Sequence, residues 1–199
     1  MRGATRVDFL TDSFERVPAP DGAGRGLLGM VRADMAAKSA WYHGRISRGL
    51  VLRMLVSDGS LCTVLYRLMR ALGRWRLGAL GAMVYKLNAF LTRAVIGRGA
   101  EFGPGLIVLH SVGLVVNTAV RGGANVVLEG SVTIGAEKGR SPVLGDNVFI
   151  GAGARIIGGV SVGSDARIGA NAVVVKDVPA GATAVGVPAK VVRTRGEGE

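Results

Sequence analysis

The histidines are the first residues to weigh for chemistry. There are two among 199 residues, His43 and His110, beside a single cysteine, Cys62. Imidazole, with a free pKa of about 6.5, is the side chain best matched to taking a proton at neutral pH. A well-placed base of this kind contributes about 10²–10⁴ in rate. His43, in Trp41-Tyr42-His43-Gly44, has no constellation of polar residues around it and reads as incidental. His110, in Val108-Leu109-His110-Ser111-Val112-Gly113, is followed seven residues later by Asn117. The Asn117 amide can hold a hydroxyl or tune a ring nitrogen; a plain corner residue in the left-handed conformation is the alternative. Cys62 lies among apolar helix residues and reads as core. A three-histidine zinc site is beyond a chain with two histidines, and no metal is expected.

What must position His110 is a repeat. An apolar residue returns every sixth position at Ile96, Phe102, Val108, Leu114, Val120, Val126 and Val132, then at Leu144, Ile150, Ile156, Val162, Ile168 and Val174. Small or aliphatic residues recur four positions after each slot. Compact globular chains show periods of 2 or 3.6; a fixed period of six marks a parallel β-helix, three hexads to a coil. The slot at Lys138 alone fails. Gly135-Ala-Glu-Lys138-Gly-Arg140-Ser141-Pro142 therefore reads as an excursion from the coil, and Lys138, Arg140 and Ser141 are candidates to contact a substrate. A solvated loop is the alternative reading of that segment.

The run from Ile150 to Val174, Ile-Gly-Ala-Gly-Ala-Arg-Ile-Ile-Gly-Gly-Val-Ser-Val-Gly-Ser-Asp-Ala-Arg-Ile-Gly-Ala-Asn-Ala-Val-Val, resembles the hexapeptide-repeat acyltransferase signature across four consecutive repeats. The resemblance covers about residues 94–193. It implies a mainly β chain: a left-handed parallel β-helix of about five coils behind an N-terminal α-helical extension. It implies acetyl-CoA as co-substrate, His110 as the general base, and a homotrimer, with a dimer of trimers through the helical extension as a further possibility. In the family the coenzyme lies along the C-terminal coils against the backbone. That stretch corresponds here to Gly151, Ala152, Gly153, Ala154 and Ala170. Lys190 and Arg193, in Gly186-Val-Pro-Ala-Lys190-Val-Val-Arg193, match the place where a basic side chain meets the nucleotide phosphates; a solvated tail is the alternative.

The acceptor is where the resemblance divides. The helical extension, the Ile96-Gly-Arg-Gly opening and the His110-x-x-Gly step are similar to serine acetyltransferases. That family carries an Asp directly before the catalytic His, where this chain has Leu109, and another fifteen residues upstream, where it has Val95. After the loop it has Arg-His-Pro, where this chain has Arg140-Ser141-Pro142. The pairing of His110 with Asn117 instead resembles exopolysaccharide O-acetyltransferases. The expectation is therefore an O-acetyltransferase acting on a saccharide hydroxyl, free or lipid-linked. Serine O-acetylation is the alternative, and a non-catalytic β-helix scaffold the reading from another class.

Composition fits this frame. Aliphatic-rich but only 5 % aromatic, with 32 glycines, the chain has what a narrow β-helix interior and its corners accept. Residues 1–26 read as a poorly ordered N-terminus, 27–93 as a basic α-helical extension, 94–193 as the β-helix and 194–199 as a polar tail. The extension holds ten cations between Arg32 and Lys86 against Asp34 and Asp58 alone, most of the net +11. A solvated face and docking on an anionic membrane, with Trp41, Trp75 and Tyr85 at the interface, are the two readings of that charge. No zinc-finger spacing or aromatic RNA-binding motif is present, so nucleic acid is not expected as a partner. One cysteine and the lack of an apolar leader point to the cytoplasm, with peripheral contact at the inner membrane face as a further possibility.

Overall fold

The computed structural model describes residues 26–194. The N-terminal stretch and the polar tail expected above lie outside them, apart from Gly26 and the backbone of Thr194. Four helices come first: α1 (Leu27–His43), α2 (Arg48–Met54), α3 (Ser60–Arg74) and α4 (Gly78–Thr92). Helix α3 turns Cys62, Tyr66, Met69 and Leu72 inward at helical spacing and leaves Leu61 and Arg74 outside. Among the described residues no helix is long and apolar enough to cross a membrane.

The rest of the chain winds into a three-sided parallel prism. Its first face stacks Val95–Ile96, Val115–Val116, Thr133–Gly135, Arg155–Ile157 and Val173–Val174. The second stacks Glu101–Phe102, Arg121–Gly122, Val143–Leu144 and Ser161–Val162. The third stacks Ile107–Val108, Val127–Leu128, Phe149–Ile150, Arg167–Ile168 and Ala182–Val185, closed by the antiparallel strand Lys190–Thr194. Faces of five, four and five parallel rungs make between four and five coils.

The register corrects the hexad phase. Leu144 pairs with Val162 and Ile150 with Ile168, eighteen residues apart, so the late coils keep the repeat. Ile96 pairs with Val116 and Val108 with Leu128, twenty apart. Gly122 pairs with Leu144 and Leu128 with Ile150, twenty-two apart. Two insertions account for this. Four residues enter before Leu144, around Lys138 as expected. Two more enter between Val108 and Val116, at the corner that carries His110. From there to Ile134 the inward strand positions are Val116, Gly122, Leu128 and Ile134, and Leu114, Val120, Val126 and Val132 are corner residues. Both sets are apolar and buried apart from Gly122, so a shift of two leaves the hydrophobic pattern intact and hides the break. Gly122 is fixed by its neighbour: a Cβ there would come within 2.3 Å of the Phe102 ring.

The helices wrap one end and one face. Tyr66 plugs the first coil, donating to Ala100 O at 2.9 Å and accepting from Phe102 N at 3.2 Å. Helix α1 lies on the outside of the third face, where Ala37 and Trp41 meet Ile107, Leu109, Val127 and Phe149. The Trp41 and Phe149 rings stack with centroids 5.7 Å apart. A buried ion pair pins the junction. Asp34 takes Arg67 Nε and Nη2 at 2.7 and 2.9 Å and the amides of Gly105 and Leu106, while Arg67 also donates to Phe102 O and Gly103 O. Every polar atom of that pair that the fold buries is thereby satisfied, the condition under which a buried pair is tolerable.

Candidate active site

His110 sits in the two-residue insertion on the edge between the third and first faces. Its Nδ1 lies 2.7 Å from Asp58 Oδ2, supplied by the loop between α2 and α3. Asp58-Gly59-Ser60 has the residue types of a helix N-terminus. Gly59 is in fact the N-cap of α3 and no side chain caps it; the Asp58 carboxylate accepts from Gly59 N at 2.8 Å with one oxygen and meets His110 with the other. The carboxylate that Leu109 and Val95 cannot provide thus comes from a different element. Leu109 could not supply it: only 4 % exposed, it packs under α1.

The loop is fitted tightly to the coil. Gly59 adopts φ +73, and a Cβ there would fall 2.2 Å from Val108 O. Lys38, buried in α1, reaches beneath the loop to Asp58 O, to Ser60 Oγ at 3.0 Å and to Val108 O at 2.9 Å. Asp58 and His110 themselves remain open, with side chains 62 % and 59 % exposed. The hydrogen bond to His110 is the largest influence on the Asp58 carboxyl and holds it below its ordinary value. With a carboxylate at Nδ1, that nitrogen carries the proton and Nε2 presents a lone pair to solvent. The arrangement suits a general base with an orienting acid. Tyr42 and Glu129 complete the surroundings: burial raises the Tyr42 hydroxyl above its ordinary value, and the nearby Glu129 and Asp58 carboxylates add to the effect.

Most of the positions expected to meet the coenzyme fall on the same edge. Gly130 lies one rung from His110, within 3.3 Å of its Cβ if given a side chain. Gly153 N then bonds Gly130 O at 2.9 Å, and Asn171 N bonds Ala152 O at 2.8 Å. His110, Ala152 and Ala170 therefore stand in one row. Ala152 and Ala170 are exposed, Gly153 half-buried, and Gly151 and Ala154 buried, so the last two offer a ligand no surface and serve the stacking of the coils. Gly151 and Gly153 are required by stacking, since a Cβ would strike Ala170 N at 2.7 Å or Asn171 Oδ1 at 2.2 Å. Lys190 pairs with Val185 at the end of the same row, while Arg193 pairs with Thr183 farther along the strand. Five rung spacings separate His110 from Lys190, about 24 Å at ~4.8 Å per rung. An edge of that length lined by methyls and backbone fits a long, thin acyl carrier.

Asn117 and the loop lie elsewhere. Lys138 and Gly139, both at positive φ, make a two-residue hairpin turn closed by paired hydrogen bonds between Glu137 and Arg140. This hairpin stands on the edge between the first and second faces. Asn117 is on that edge too: its Oδ1 accepts from Ala119 N at 2.9 Å and from Ser141 Oγ at 3.0 Å. A whole face of the prism separates it from His110, so within one chain Asn117 does not tune the imidazole. Cys62 is fully buried between helices and first coil, and burial pushes its thiol up to about 11, which keeps it protonated. An apolar hollow of about 890 Å³ between α1 and α2, lined by Leu28, Val31, Met35, Ile46 and Leu52 among others, holds no acid–base pair.

Comparison with known proteins agrees with this geometry. Residues 141–176 match the model of the bacterial transferase hexapeptide family (six repeats). The chain is 36 % identical over 167 residues to the serine acetyltransferase of Helicobacter pylori J99, covering 82 % of this chain and 92 % of that one. It is 45 % identical over 116 residues to the serine acetyltransferase of Synechocystis, covering 56 % and 46 %. Soybean serine acetyltransferase complexed with serine superposes with a TM-score of 0.76 at 32 % identity, covering 85 % of this chain and 70 % of that one. A serine acetyltransferase in complex with CoA gives 0.75 at 30 %, covering 83 % and 69 %. The chain belongs to the serine acetyltransferase family of hexapeptide-repeat acyltransferases.

Proposed function

We propose that this protein is a serine O-acetyltransferase that moves the acetyl group of acetyl-CoA to the hydroxyl of L-serine. The observation that carries the reading is the Asp58–His110 pair at 2.7 Å, opening onto the edge that runs to Ala152, Ala170 and Lys190. The sequence alone favours a saccharide acceptor, because Leu109 and Val95 replace carboxylates of the serine family. Asp58 returns one to the histidine, Glu129 adds a second nearby, and a relative 36 % identical over 82 % of this chain is a serine acetyltransferase. These support serine over a sugar.

Asp58 holds the proton on Nδ1, and Nε2 takes the proton of the serine hydroxyl as its oxygen attacks the thioester carbonyl. The tetrahedral oxyanion is stabilised by hydrogen-bond donors of the glycine-rich corners. Collapse breaks the carbon–sulfur bond, the imidazolium returns its proton to the departing sulfur, and O-acetylserine and CoA leave. No acyl-enzyme forms, consistent with the buried, protonated Cys62. Self-association completes the site: the His110 edge of one chain faces the Asn117, Lys138 and Arg140 edge of the next in a trimer. The exposed apolar face of α4, with Leu80, Met83, Leu87 and Phe90, is a further surface for assembly.

The test is thiol release from acetyl-CoA with L-serine, against N-acetylated and free hexoses. Turnover with serine and formation of O-acetylserine by mass spectrometry is the expected result. Turnover with sugars alone would restore the saccharide reading, and no turnover with any hydroxyl would leave a scaffold.

A further inference from the structure

We propose that Lys38 is a positioning residue for the proposed reaction, holding the Asp58 loop on the coil that carries His110. Three parts of the chain meet at its ammonium. Lys38 comes from α1; Asp58 O and Ser60 Oγ belong to the start of α3 and the loop before it; Val108 O lies two residues before His110. An ammonium has three N–H donors, and these three acceptors use them all. Asp58 is consequently gripped at both ends, its carbonyl by Lys38 and its carboxylate by His110. Neither residue of the pair is enclosed, so packing does not fix their geometry; the contacts behind Asp58 must do so.

The cost of this device is visible. Lys38 is only 1 % exposed, and a buried ammonium gives up its hydration. Burial lowers it to about 8, and the Asp58 carboxylate resists that drop. An apolar side chain would fill the same space without such a penalty, so the position is hard to explain by packing alone. The charge also acts on the pair. Asp58, Glu129, Tyr42 and Cys62 are the other titratable groups facing this region, and Cys62 is protonated at working pH. Lys38 is the cation among them, and it helps keep Asp58 ionised.

The experiment compares Lys38→Met and Lys38→Arg with the wild type, alone and in an Asp58→Ala background. Lys38→Met is expected to lower kcat at least tenfold with KM for acetyl-CoA unchanged. It should move the acid limb of the kcat/KM profile upward by about half a pH unit, as loss of a nearby cation favours protonation of the pair. In the Asp58→Ala background the same change should cost less than twofold. Lys38→Arg keeps the charge, so it should keep the acid limb while lowering kcat through poorer fit. A Lys38→Met enzyme with kcat within twofold of wild type, or an equal loss with and without Asp58, overturns the inference. If Lys38→Met does not fold, Lys38→Arg decides: a displaced acid limb or an unchanged kcat overturns it. Because the inference rests on the proposed function, a readout without turnover is included. With two histidines in the chain, the ¹⁵N ring signals are assignable. The His110 signal should report the Nδ1–H tautomer in the wild type and a mixture in the Lys38 variants. An enzyme inactive on serine refutes the function, and the ring signal still judges Lys38.

Discussion

Removing the carboxylate of Asp58 tests the core of the mechanism. The contact is a short, charge-assisted hydrogen bond, 2.7 Å between Oδ2 and Nδ1, of a kind that contributes about 1.5–3 kcal/mol when well formed. Both side chains are more than half exposed. Water competes for them, and the usable part falls to about 1–2 kcal/mol. At about 1.4 kcal/mol per tenfold, that is a loss of roughly five- to thirtyfold in kcat, far less than a buried triad carboxylate provides. Asp58→Asn keeps an acceptor for Nδ1–H without the charge and should fall at the lower end; Asp58→Ala frees the ring and should fall at the upper end. KM for acetyl-CoA should not move, because the coenzyme edge is untouched. The assay is thiol release with saturating L-serine from pH 5.5 to 8.5. An Asp58→Ala enzyme within twofold of wild type across that range would refute the dyad. The same pair leaves a mark on stability. Asp58 sits below its ordinary value of 3.8 in the folded chain, so its contribution is present above that pH and disappears as pH falls through the folded value. Screening holds it below about 1 kcal/mol. The small difference in Tm between wild type and Asp58→Asn should therefore exist at pH 7 and shrink as the pH falls below the ordinary value of 3.8.

Several other outcomes follow from single contacts. His110→Ala should reduce thiol release by about 10²-fold or more while acetyl-CoA binding by calorimetry is retained; unaltered turnover would exclude His110 as the base. Ala152→Phe and Ala170→Phe place rings in the coenzyme row at exposed positions, so KM for acetyl-CoA should rise at least about tenfold with thermal stability kept; an unchanged KM would move the coenzyme off this edge. Gly59→Ala meets Val108 O at 2.2 Å with φ at +73, and should lower stability by about 1–3 kcal/mol in a denaturant titration and reduce kcat as the loop lifts. If the trimer joins two different edges, mixing unfolded His110→Ala and Arg140→Ala chains and refolding them together should recover activity that neither has alone; no recovery argues for a site within one chain.

The period of six made the architecture legible because a β-helix writes its geometry into every coil. Ile150, Ile156, Val162, Ile168 and Val174 face inward where the pattern puts them. The insertion around Lys138 was visible because a charge fell in an apolar slot. The insertion at His110 was not, because Leu114 and Val116 are equally apolar and the phase can slip by two unseen. The one trace it left is Gly122, an inward position without a side chain, made so by the Phe102 ring that fills the space. The row from His110 to Ala170 was likewise implicit. Once coils of known length are stacked, positions 110, 130, 152 and 170 share an edge, and Asn117 with Ser141 must share another.

Helices carry no such ruler, and there the reading fell short. Nothing in local spacing says that Asp58 meets a histidine 52 residues on, or that Lys38 reaches Val108 across 70. A signal was nevertheless present in the charges. Between Gly26 and Ala100 the chain has Asp34 and Asp58 as its sole acids in a field of cations. In so basic a segment an acid does little for solubility, so each survivor must be held by a particular contact. Both make one, and both contacts cross from the helical extension to the β-helix. Asp34 ties α1 through Arg67 to the amides of Gly105 and Leu106; Asp58 ties the loop before α3 to His110. The extension is therefore more than a support for the prism. Its two carboxylates dock it on the first coil, and the second of them supplies His110 with the carboxylate partner that the repeat itself lacks.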